Sequence, residues 1–225
     1  MKQGLLSTCL FLFLSLHAFS QANSIYSLGL SAFSILQLPR IADQNPLKYI
    51  HTSINGGIFK IDDRQINYRL SGRFLNQSID FQNDCNNCNI DQGKVTDYEV
   101  KLGFEKSISY SWIQPYFAFD IGYRYNRFQG IQNTVNLQRV TASVSQLETT
   151  KSGLVLVPSL GIRITPIEML SLFAEGSLEF YYSSLHTRLI TQNSSALMTE
   201  NSEAKKEFLF SPLTVGIQIH LGSRN

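Results

Sequence analysis

Strict alternation of apolar and polar residues, sustained through two neighbouring runs, constrains this chain more than any other feature. Within residues 96–126, Tyr98, Val100, Leu102 and Phe104 interleave with Asp97, Glu99, Lys101, Gly103 and Glu105. Beyond a tight turn at 107–111, Ile113, Pro115, Phe117, Phe119, Ile121, Tyr123 and Tyr125 interleave with Gln114, Tyr116, Ala118, Asp120, Gly122, Arg124 and Asn126. A period of two places each apolar set on one face of a strand and each polar set on the other. In water, the apolar face of such a sheet packs on a core. A chain built entirely of these hairpins, with no helix to cover them, is better served by a sheet closed on itself, with lipid outside and polar side chains inside.

The pattern recurs along the chain. Strand one is expected at 25–34, with Tyr26, Leu28, Leu30 and Ala32 outward and Ser27, Gly29 and Ser31 inward. Strand two, about 49–60, divides into Ile50, Thr52, Ile54 and Ile58 on one face and His51, Ser53 and Asn55 on the other. Asp62 and Asp63 mark a short turn, since Asp bonds its own following backbone. Strand three, about 66–78, shows Ile66, Tyr68, Leu70 and Phe74 outward and Asn67, Arg69, Ser71 and Arg73 inward. Strands four and five are the hairpin above. Strand six sets Leu154, Leu156, Pro158, Leu160, Ile162 and Ile164 against Val155, Val157, Ser159, Gly161 and Arg163. Strand seven, 170–182, sets Leu172, Ala174, Leu178 and Phe180 against Glu175, Ser177 and Glu179. Strand eight, 208–221, sets Leu213, Val215, Ile217, Ile219 and Leu221 against Thr214, Gly216, Gln218 and His220.

The connections alternate long and short, with polar stretches at 80–95, 129–152 and 183–206 read as long loops. Tight turns at one end and long loops at the other predict an all-β fold, an eight-stranded antiparallel up-and-down transmembrane β-barrel with both termini at the periplasmic end. Pro115 and Pro158 fall on central strands, where the missing backbone donor predicts a bulge at each. Tyr110 and Trp112 at one turn, and Tyr123, Tyr125, Phe128, Tyr181 and Tyr182 toward the other end, are expected to form the two aromatic girdles. A soluble, lipocalin-like barrel is the alternative; it would reverse the burial, with apolar residues lining a cavity.

The N-terminus sets the compartment. Lys2, an apolar run over 5–16 and then Ala18-Phe19-Ser20 read as a secretory signal peptide, 1–20, cleaved to leave Gln21. The run is too short to span a bilayer, and no later stretch approaches the length that a membrane helix needs. Cys9 lies within the signal and is removed with it. The mature chain, 21–225, keeps 18 basic against 17 acidic residues. That balance leaves no basic footprint for nucleic acid.

The signal peptide, the repeats Val100-Lys101-Leu102-Gly103-Phe104-Glu105 and Phe119-Asp120-Ile121-Gly122-Tyr123-Arg124, and the closing Val215-Gly216-Ile217-Gln218-Ile219-His220-Leu221 carry a resemblance. The mature chain resembles the outer-membrane β-barrel domain family, the porin-like, PorT-like group whose architecture is that of OmpA and OmpX. Residues 222–225 depart from the terminal aromatic common in such barrels. The resemblance implies the barrel fold and a place in the cell outer membrane, and it implies no reaction.

Inward positions carry Arg69, Arg73, Lys101, Arg124 and Arg163 against Asp97, Glu99, Glu105, Asp120, Glu175 and Glu179. Such a set can line a selective path or supply paired carboxylates. Eight strands enclose a lumen just wide enough for side chains to fill, and buried charges must pair, so a salt-bridged plug is expected. Cys85 and Cys88, the cysteines left after processing, are expected to form a loop disulfide in an oxidising compartment. A zinc site would need further ligands, and a redox CxxC would need a helix start. His51-Thr52-Ser53 places a His and a Ser on one strand face, yet neither an oxyanion hole nor a third partner can be named, and His186 and His220 have no visible company. The expectation is therefore a non-enzymatic barrel without cofactor or metal, in contact with outer-membrane lipid and acting through its extracellular loops, where a protein partner is allowed for. A small passive channel is the alternative, followed by a lipid-modifying enzyme; the oligomeric state is left open.

Overall fold

The computed structural model describes residues 25–40, 49–63, 66–82, 89–108, 112–135, 141–167, 169–191 and 198–221. Eight strands follow one another: β1 (Ile25–Gln37), β2 (Tyr49–Asp62), β3 (Asn67–Gln82), β4 (Asn89–Ser107), β5 (Ile113–Val135), β6 (Thr141–Ile167), β7 (Leu170–Thr191) and β8 (Met198–Leu221). Each pairs antiparallel with the next, and β8 pairs back onto β1 from Tyr26↔Leu221 to Ile35↔Leu213, closing the ring. The signal peptide, Tyr110, Cys85 and Cys88 lie outside the described residues.

Alternation becomes a wall with two chemistries. Leu102 is 63% exposed and Leu160 67% exposed on the outer surface, whereas Glu99, Glu105 and Asp120 are buried inside. A continuous apolar exterior of this extent belongs against lipid. The lipocalin-like alternative requires the opposite burial and is excluded by it.

The stretches read as long loops are mostly strand. β5 and β6 stay paired from Ile113↔Ile164 up to Val135↔Thr141, and β7 and β8 stay paired up to Ile190↔Met198. Six strands, β3 to β8, therefore rise as a crown above the shorter β1–β2 hairpin. The signal was present as patchy alternation, but the high polarity of both faces masked it, because neither face of the crown meets lipid.

The prolines behave differently from expectation. The β5–β6 register runs through Pro115↔Ile162 and Phe119↔Pro158 without a shift. Pro115 stands just beyond the last β4–β5 pair, Ser107↔Tyr116, so no β4 ladder bond is lost there. At Pro158 the β6–β7 pairing lapses between Leu156↔Phe180 and Ser159↔Ser177 with no change of register. Bulges occur elsewhere: beside Pro212 on β8, and between Ser31 and Phe33 on both sides of β1.

The second bulge corrects the reading of β2. Ile54, at φ 45°, turns outward and Asn55 turns in, the reverse of their expected faces. The face holding Ile50, Thr52 and Ile58 is the inner one, and Lys60 shares it. Two girdle assignments also change. Phe128 and Tyr181 point into the lumen, while Trp112, Tyr123 and Tyr182 are exposed on the outside.

Candidate functional site: the charged lumen and its two ends

The lumen is filled in layers. Six carboxylates (Asp97, Glu99, Glu105, Asp120, Glu175 and Glu179) meet six cations (Lys60, Arg69, Arg73, Lys101, Arg124 and Arg163). All the inward charges read from sequence are brought together. Lys60 is the member that sequence reasoning missed, because its strand face, shared with Ile50 and Ile58, looked apolar.

The layer nearer the short turns gathers on Glu105. Lys60 Nζ lies 2.5 Å from Glu105 Oε2, Arg69 Nη1 lies 3.6 Å away, and Arg163 bonds the other oxygen, Oε1. Arg69 also donates through both terminal nitrogens to Glu175, at 2.8 and 3.0 Å, and lies 3.0 Å from Asp120. Lys60 and Arg69 are direct cross-strand neighbours, so without the carboxylates between them they would repel. Tyr116 forms the platform of this layer. Its hydroxyl donates to Glu175 at 3.0 Å, and Lys60 and Arg163 stand 5.4 and 5.2 Å from its ring. The ring lies flat over Gly161 on the next strand, where a Cβ would collide with it. Phe173 covers Gly216 in the same way.

The second layer centres on Arg124. Its Nε donates to Asp97 at 2.9 Å and its Nη1 to Glu179 at 2.6 Å. Asn126 donates to the same Asp97 oxygen at 2.8 Å, and Tyr181 donates to the Arg124 carbonyl at 3.3 Å. Arg73 and Lys101 hold Glu99 at 2.9 and 3.2 Å. Each layer has three charges of each sign, so the plug is neutral within each layer as well as in total. A single unpaired ion in such a place would cost several kcal/mol, on the order of 3–5.

Both ends are closed by further contacts. At the long-strand mouth Leu36, Leu38, Ile50, Leu75, Ile79, Val95, Phe128 and Leu147 form one buried apolar cluster inside the ring. Beside it Lys151 pairs with Glu207 at 2.7 Å, and desolvation holds the Lys151 ammonium below the ordinary lysine range against the pull of Glu207. This apolar cap was not anticipated, since Leu36, Leu38, Val95, Phe128 and Leu147 sit in stretches read as loops or girdle, and only Ile50 and Leu75 in expected strands.

At the short-turn end Thr165 Oγ1, Ser171 Oγ and His220 Nε2 form a chain at 2.8 and 2.6 Å, and His220 Nδ1 faces Asp62 at 3.9 Å. His220 thus has the company that the sequence did not reveal. The residue types are those of a hydrolytic triad, but Ser171 is 0% exposed and walled in by Thr165, so no carbonyl can reach its hydroxyl. The chain of hydrogen bonds fastens β6, β7 and β8 at the rim. His51 lies on the outer surface, stacked 6.1 Å from Phe33. His186, also outside, meets Ser184 at 3.3 Å. Among the described residues no group of His, Cys, Asp and Glu could hold a metal ion.

No family model and no curated protein matches this chain. Solved structures do. The chain is similar to a major outer membrane protein from Thermus thermophilus, with a TM-score of 0.51 at 11% identity over 89% of this chain and 100% of that one. This is the fold of an outer-membrane barrel. More distant are CarO of Acinetobacter baumannii, at TM-score 0.45 and 11% identity over 85% of this chain and 98% of that one, and Ail, the attachment invasion locus protein of Yersinia pestis, at 0.43 and 9% over 89% and 100%. At 11% identity the likeness to the Thermus protein carries the barrel architecture alone, and the chemistry of the lumen and crown is read from this chain's own residues.

Proposed function

We propose that this chain is an outer-membrane barrel of the porin-like, PorT-like kind, exported by a signal peptide over 1–20, that passes no solute and works through the crown of strands above the membrane. One observation carries the reading: the lumen holds two neutral salt-bridged layers beneath an apolar cap. Six charges of each sign, paired at hydrogen-bond distances, leave no run of like-charged groups along which an ion could be handed. Conducting porins of this architecture use about sixteen strands, against eight here. Length spent on paired strand beyond the apolar band contributes nothing to spanning a bilayer, and surplus structure of that kind is where binding residues tend to stand. No reaction is proposed, because the Ser–His–acid alignment at the rim has a buried serine.

Reconstitution of the pure protein into planar bilayers tests the closed lumen. Baseline current is the expected outcome. Stable, ion-selective steps that vanish on Arg124→Ala or Glu179→Ala would replace this reading with that of a small channel.

A further inference from the structure

Above the apolar band, the outer face of β6, β7 and β8 changes character row by row. The cross-strand neighbours Leu154, Tyr182 and Lys206 form the top of the band, with Lys206 Nζ 5.8 Å from the Tyr182 ring. The next outward row is Ser152, Ser184 and Ala204, small side chains that make a step in the wall. Beyond it stand Thr150, His186 and Ser202, and then Glu148, Arg188 and Glu200. These last six side chains line a groove of about 350 Å³ on the outside of the crown.

Arg188 is the cation at the centre of the groove, between its cross-strand neighbours Glu148 and Glu200. Its Nε lies 3.6 Å from Glu200, its Nη2 lies 3.4 Å from Met198 Sδ, and its side chain is 48% exposed. Glu148 is held from the other side by Arg127 at 2.6 Å. A loose ion pair between exposed side chains contributes little, so the Arg188 guanidinium can turn to a better anion. Thr150 and Ser202 add hydroxyls, and His186 adds a ring nitrogen that meets Ser184 Oγ at 3.3 Å. The two carboxylates accept from hydroxyl groups. A phosphorylated sugar presents the complementary set: phosphate oxygens for the guanidinium and hydroxyls for the rest.

We infer that this groove binds the headgroup of a glycolipid of the surrounding outer leaflet, a phosphorylated saccharide carried on acyl chains. This assignment rests on the crown as the outer working surface and is independent of the closed lumen. Lipid is the neighbour that the apolar wall already requires, and the groove continues that same face upward. Acyl chains lying against Leu154, Phe180 and Phe208 bring their headgroup to the step of Ser184 and Ala204, at the foot of the groove. Height then selects the kind of headgroup. Arg188 lies six residues beyond Tyr182 on β7. At ~3.3 Å per residue and a tilt of ~40°, that is ~15 Å along the membrane normal. The headgroup layer of a simple phospholipid is only ~5–8 Å deep, so a saccharide is needed to reach the guanidinium.

The test uses the folded mature protein in detergent micelles, with native mass spectrometry counting the lipids that it retains. The probes are lipopolysaccharide truncated to its phosphorylated sugar core, and phosphatidylglycerol, an anionic lipid without that core. Retention of the glycolipid in preference to phosphatidylglycerol is expected. Arg188→Gln should weaken it about tenfold, the effect of one charge-assisted hydrogen bond. Ser202→Leu fills the groove without a change of charge and should weaken it as well. Lys94→Gln removes an exposed cation from the same cross-strand row, on β4 and outside the groove, and should leave retention unchanged. All three variants keep the heat-dependent gel mobility of the folded barrel. Equal retention of the two lipids, equal loss in Lys94→Gln and Arg188→Gln, or full retention in both groove variants would each overturn the site. Displacement by an equal concentration of glucosamine 1-phosphate would make the ligand a soluble sugar phosphate and overturn the lipid. Current in a planar bilayer would overturn the closed lumen and leave this assignment standing.

Discussion

Lys60 reaches from β2 past β3 to set its Nζ 2.5 Å from Glu105 Oε2 on β4, with both side chains shut off from solvent. Arg163 shares the same carboxylate and Arg69 lies 3.6 Å from it, so its removal strands Lys60 and Arg163 while Arg69 keeps Glu175 and Asp120, whereas removal of Lys60 leaves Glu105 with two cations. Lys60→Met is expected to destabilise the barrel by about 3–5 kcal/mol, and Glu105→Gln by more. The double variant should cost less than the sum of the two. Urea unfolding of barrels folded into lipid vesicles gives all three values; equal costs for the two single changes would contradict the convergence on Glu105.

Leu102 points outward at mid-wall, 63% exposed, between its cross-strand partners Leu70 and Ile121. Facing lipid, Leu102→Arg should cost about 2–4 kcal/mol, while Ser202→Arg, on the exposed crown, should be nearly neutral. The same vesicle unfolding series compares the two. A harmless arginine at 102 would mean that this face meets water.

Ile54 adopts a left-handed backbone, φ 45°, that crowds a β-branched side chain. Ile54→Gly should therefore raise stability, by about 1 kcal/mol, although it deletes an apolar side chain. An unfolding midpoint shifted to lower urea would show that the lost apolar contact outweighs the relieved backbone.

Cys85 and Cys88 are expected to be bonded to each other in protein taken from the envelope. Intact mass after alkylation, with and without prior reduction, reads this directly. Alkylation of both thiols without reduction would refute the disulfide and reopen a metal site at that loop.

The barrel was legible because lipid makes the outer face uniformly apolar, so seven of the eight strands announced their faces through alternation alone. β2 was the exception. One bulge exchanged Ile54 and Asn55, and because the face of Ile50 and Ile58 looked apolar, Lys60 on that face could not be seen as part of the plug. Phe128 and Tyr181 misled for a related reason: an aromatic near a strand end looks the same whether it anchors in headgroups or seals a lumen, and only the phase of the strand distinguishes them. The crown was hidden because a strand with water on both sides has no polarity contrast to display. His220 shows the limit of spacing arguments, since its neighbours Ser171 and Asp62 come from β7 and β2, far away in sequence.

The Glu105 cluster has a consequence for the order of assembly. Its layer joins β2, β3, β4, β5, β6 and β7, and Arg69 and Glu175 are 106 residues apart along the chain. In the second layer, by contrast, Arg73 with Glu99 and Arg124 with Asp97 are contacts between adjacent strands, available as soon as each hairpin zips. A growing barrel can thus pair Glu99 and Asp97 hairpin by hairpin, with Glu179 on β7 reaching Arg124 later, while Arg163 on β6 and Glu175 on β7 come to Glu105 and Arg69 only when the later strands swing round. Dehydration at that carboxylate is the step that reports completion: an unfinished barrel stays wet at its short-turn end, and only the finished ring can be dry there.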